Sequence, residues 1–163
     1  MKKIVTLVLL SILFCILDNS LMPFLQVKGC YPSLLFVFVI CYSIINDTWS
    51  GLILGVFSGL LQDIYLSNSL GINMLVNMLM CLLANKVGKS IFKDKFIVPV
   101  LSNFFISILK GLLVFVIFCI LKQHMPIKFV LYTSIYNGIV ALFMYKKVYK
   151  LCQKDFMIKN WRF

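Results

Sequence analysis

Few side chains in this 163-residue sequence could do chemistry, and the ones that could lie in apolar surroundings. Asp18, Asp63 and Lys110 each interrupt a run of aliphatic and aromatic residues. Two carboxylates and an ammonium could pair, pass a proton or hold a charged solute. In an apolar medium each needs a partner, because an unpaired charge there is costly. Asn73, Asn77, Asn85, Asn103 and Asn137 add neutral polar groups whose default use between helices is hydrogen bonding. The rest of the catalytic inventory is thin. His124 is the single histidine and there is no glutamate, so the usual donor set for zinc is missing. The six cysteines are scattered without a CxxC pair and read as small buried hydrophobes. No nucleophile–base pair, phosphate-cradling glycine loop or Walker pattern is present. The sequence therefore predicts no catalytic residue, no metal and no cofactor.

The elements that must position these groups are set by composition. Hydrophobic residues make up 62% of the chain and charged residues 13%. Crossing a bilayer core takes roughly 20 apolar residues per helix, and the sequence offers six apolar spans, 4–21, 31–45, 49–66, 70–87, 96–121 and 127–149, of which the second and third are short and need tight packing or local thinning. The reading is an all-α membrane protein, a single integral domain of six transmembrane helices. Pro32 falls in the first turn of the second span, where a missing N–H is tolerated. Asn46-Asp47-Thr48 and Ser67-Asn68-Ser69 read as tight turns with capping side chains. The first span follows Lys2 and Lys3 but has no small-x-small cleavage site after it, so it reads as a retained helix. Residues 150–163 mix lysines with Phe156, Trp161 and Phe163 and read as a cytoplasmic tail along the inner headgroups.

The net charge of +11 is placed at the span ends, which argues for orientation and against a nucleic-acid surface. Lys2, Lys3, Lys86, Lys89, Lys93, Lys95, Lys146, Lys147, Lys150, Lys154, Lys159 and Arg162 fall on one side. Lys28, Lys122 and Lys128 fall on the other. Twelve against three predicts both termini in the cytoplasm and a multi-pass protein of the inner (cytoplasmic) membrane.

Within this frame the three charged groups share a depth. Each lies 14 residues beyond its predicted span start (4 to 18, 49 to 63, 96 to 110), about 21 Å along the helix. The expectation is an intramembrane polar pairing in which Lys110 meets Asp63 or Asp18. The third span also carries Gly51, Gly55 and Gly59, one every four residues, so they form a stripe on one face. Such a stripe lets another backbone approach closely. Asp63 continues it one turn later, and either caps the following turn or serves a helix-coupling or partner contact.

The stretch from Gly51 through Gly55, Gly59 and Asp63 to Gly71 resembles the rod shape-determining MreD family. Its members similarly show a glycine-spaced helix ending in aspartate, a polar turn, and Leu-Gly opening the next helix. The resemblance implies a non-enzymatic membrane scaffold of the bacterial cell-elongation complex. It implies MreC as a direct partner, with MreB, RodA and a class B penicillin-binding protein in the same complex. Gly51, Gly55, Gly59, Asp63 and Gly71 are the matching positions, expected at a helix-packing or partner interface. The family is also similar in fold to the substrate-binding components of energy-coupling-factor vitamin transporters. That gives an alternative: a small-molecule capture subunit recruiting Tyr65, Asn68 and Asn73, with Trp49 on the wrong side. A channel or proton-coupled transporter using Asp18, Asp63 and Lys110 is a third reading, weakened by the lack of internal repeats or broken helices.

Overall fold

The computed structural model describes residues 2–26, 29–66, 71–90, 97–122, 127–154 and 157. Its described residues form six α-helices and no strand: α1 (Lys2–Ser20), α2 (Leu34–Ile45), α3 (Thr48–Leu66), α4 (Ile72–Ser90), α5 (Ile97–Ile120) and α6 (Lys128–Cys152). A short 3-10 turn, Met22–Leu25, follows α1. The turn 67–70, the segment 91–96, His124 and most of the tail lie outside the described residues. Helix α6 continues to Cys152, so the tail begins later than residue 150.

Helix α2 is the hub. Ten of its twelve residues are buried, and it touches all five other helices. The others surround it in the order α1, α3, α4, α5, α6, each packed on the next. Among the described residues α6 and α1 do not meet, so the ring has one open seam. Leu34 and Phe38 of α2 line the groove there, with Leu10 and Phe14 on one side and Phe143 and Met144 on the other.

The hub helix begins at Leu34 rather than at Tyr31, and the reason is local. Ser33 is extended, and its hydroxyl accepts from the Phe36 N–H at 3.3 Å, a standard N-cap contact. Pro32 therefore precedes the helix instead of occupying its first turn. At 1.5 Å per residue α2 is about 18 Å long, well short of a roughly 30 Å hydrocarbon core. The extended approach through Cys30 and Pro32 makes up part of the difference, and both residues are buried.

The exterior is apolar. Helices α1 and α5 are each long and apolar enough to cross a membrane, yet only 22% and 17% of their most apolar stretches are buried. An apolar helix in a water-soluble core would be mostly covered. Here Leu9, Ile16, Phe105, Val116 and Ile120 point outward, as does Phe143 of α6. Soluble monomers rarely expose apolar surface on this scale. Five cysteines are buried and Cys119 is exposed; all six are free thiols.

Candidate functional site

Asp18 and Asp63 lie near the ends of α1 and α3, beside the starts of α2 and α4, while Lys110 lies at the middle of α5. Each carboxylate is turned toward the start of a neighbouring helix. The Asp18 carboxylate, on α1, accepts from the Leu34 N–H at 2.6 Å, the Leu35 N–H at 3.1 Å and the Ser33 hydroxyl at 3.0 Å. The Asp63 carboxylate, on α3, accepts from the N–H groups of Gly71, Asn73 and Met74 at 2.9–3.0 Å and from Asn73 Nδ2 at 3.0 Å. The first N–H groups of a helix have no partner inside it, and negative charge there is favoured by the helix dipole. Both acids thus cap helices from outside: Asp18 on α2, Asp63 on α4.

Lys110 is half-buried on α5. Its ammonium donates to Gln62 Oε1 at 3.0 Å and sits 4.3 Å from the centre of the Phe36 ring. Gln62 Nε2 donates to the Ser33 hydroxyl at 2.9 Å. The Ser33 hydroxyl in turn donates to Asp18. Lys110 and Asp18 are therefore joined through two intervening side chains. Asn77 Nδ2 donates to the same Gln62 oxygen at 3.0 Å and to the Ser58 hydroxyl at 3.3 Å. On the other flank Asn137 accepts from the Ser33 N–H at 2.9 Å and donates to the Ser107 hydroxyl at 2.7 Å.

These residues line a cavity of about 320 Å3. Every helix contributes to its wall, for example Asp18, Phe36, Gln62, Asn73, Lys110 and Asn137 in order from α1 to α6. Ser33, Gln62 and Ser107 are not distinguished by the sequence, whereas Asn137 is one of the five asparagines it marks. A glutamine within an apolar run, one residue before Asp63, was the available signal.

The glycine stripe faces inward. A β-carbon on Gly51 would lie 2.8 Å from Ser43 Oγ on α2, and one on Gly55 would lie 2.8 Å from Cys81 Sγ on α4. One on Gly59 would strike the backbone of Asn73 and Met74. The close approach served by the stripe is therefore to α2 and α4 of the same chain. Gly71 has φ +103° and open space around it, so its requirement is conformational. Gly88, not noted in the sequence, packs on the backbone of Ile44.

All five asparagines bond between elements. Asn85 donates to the carbonyls of Ser43 at 3.2 Å and Asn46 at 2.6 Å, capping the far end of α2. Asn103 donates weakly to the Val37 carbonyl at 3.5 Å. Among the described residues no group of three His, Cys, Asp or Glu side chains could hold a metal ion.

A family model described as rod shape-determining protein MreD matches residues 1–155. No curated protein and no solved structure matches the chain.

Proposed function

The chain belongs to the rod shape-determining MreD family, and from that membership we propose that it is a non-enzymatic scaffold of the cell-elongation machinery. It lies in the cytoplasmic membrane with six spans and both termini inside. It binds MreC directly and helps place RodA and a class B penicillin-binding protein relative to MreB. The observation that carries this reading is the family match over 155 of 163 residues. Two further features support it. The apolar exterior suits lipid and the transmembrane segments of partners. The charge count of twelve against three favours inward termini.

Since the glycine stripe is occupied by α2 and α4, MreC is assigned to the exposed apolar faces of the outer helices. Co-expression with MreC and affinity purification of the full chain tests the reading. A stoichiometric complex that survives a change of detergent is expected. Recovery of the folded chain without MreC, in detergents that keep each protein soluble, would remove the scaffold reading.

A further inference from the structure

We propose that the cavity lined by the six helices is a binding site for a small organic anion, with the Lys110 ammonium as its charge partner. This goes beyond the scaffold reading and stands or falls apart from it. The cavity volume of about 320 Å3 is at the lower end of the range for ligand pockets, roughly 300–1,000 Å3.

Its electrostatics select the sign of the ligand. Asp18 lines the wall, but both its oxygens accept hydrogen bonds from the start of α2. Asp63 is likewise directed to the start of α4. Lys110 hydrogen-bonds a neutral amide oxygen, and an ammonium pairs more strongly with an anion than with an amide. An incoming carboxylate or phosphate therefore gains a charge-assisted contact at Lys110.

The remaining walls set size and shape. Phe36 and Phe129, with Val114 and Val130, give apolar surface for an organic body. The polar flank is held in place beforehand, because Asn137 is fixed by Ser33 and Ser107, and Gln62 by Ser33 and Asn77. Such preorganisation lowers the ordering cost of binding. Gly29, Cys30 and Tyr31 border the cavity beside Phe129.

A free solute or the headgroup of an anionic lipid could supply the same chemistry, and the test separates them. The full chain is reconstituted in phosphatidylcholine nanodiscs, and thermal unfolding is followed with benzoate or its neutral analogue benzamide. Benzoate is expected to raise Tm saturably, as a ligand of the native state must, and benzamide to leave it unchanged. Lys110→Gln should weaken the apparent benzoate affinity roughly tenfold or more. Lys110→Arg should keep it within a few-fold, and Lys146→Gln should match the wild type.

Discs containing phosphatidylglycerol form the second arm. Stabilisation there without benzoate, lost in Lys110→Gln, assigns the anion to lipid. Absence of any response to both anions overturns the site, as does an equal response in Lys110→Gln. If that variant does not fold, wild-type protein still decides. Acetylation of Lys110 should fall several-fold under saturating benzoate or in phosphatidylglycerol discs while that of Lys146 does not change. Unchanged labelling of Lys110 in both conditions refutes the proposal.

Discussion

Asp18 belongs to one helix and completes another. Removing its carboxylate leaves the buried Leu35 N–H and the half-buried Leu34 N–H without their acceptors, and a buried donor left unpaired costs about 1–3 kcal/mol. Asp18→Ala is therefore expected to lower the unfolding free energy by about that amount. Asp18→Asn should cost less, since one carbonyl oxygen can still accept. Unfolding in mixed micelles, followed by circular dichroism, measures both. A loss under about 0.5 kcal/mol for the alanine variant, the range of an ordinary surface change, would mean that the cap contributes little.

Part of this was legible in the sequence. Two acids and a base at one depth in three parallel spans marked a polar layer. The sequence did not reveal where each group turns, because that depends on which helix end lies alongside. Asp63 was readable as a turn cap only as one of two alternatives. The links from Lys110 through Gln62 and Ser33 depend on neutral residues that carry no charge pattern to find them by.

Among the elements, the α3–α4 pair is the place where spacing translates most directly into packing. The four-residue glycine period was visible in the sequence, but the helices it meets were not, because a stripe specifies close approach and not the partner. The neighbours now rank the three positions. A methyl group at Gly51 first meets the side chain of Ser43, which can shift by small amounts, and one at Gly55 meets the Cys81 side chain at 2.8 Å and the Asn77 backbone carbonyl at 3.1 Å. At Gly59 it meets the backbone of α4, which cannot move without separating the helices. Gly59→Ala is expected to destabilise by about 1–3 kcal/mol, the usual cost of overpacking, and to exceed Gly51→Ala. Gly71→Ala should cost about 1–3 kcal/mol for a different reason, backbone strain at positive φ. Denaturant midpoints for the three variants check the order. Equal effects at Gly51 and Gly59 would show that α4 yields as readily as a side chain.

For the molecule as a whole, composition pointed to the class, since 62% apolar residues in a chain this short exceed what one water-soluble core requires. Helix existence followed from apolar runs. The central position of α2 did not, because a continuously apolar segment has no face to indicate which neighbours cover it. Orientation is open to direct measurement. Alkaline phosphatase fused after Leu121 should be active, and fused after Gln153 inactive, if both termini lie inside. Activity at both junctions would mean that α6 does not cross.

The shortness of α2 has a consequence for biogenesis. A twelve-residue segment with an extended approach is a poor candidate to insert on its own, and its first N–H groups find their acceptor on the preceding helix. If the chain spans the membrane as proposed, α1 and α2 are expected to insert as one hairpin, because the carboxylate that caps α2 belongs to α1.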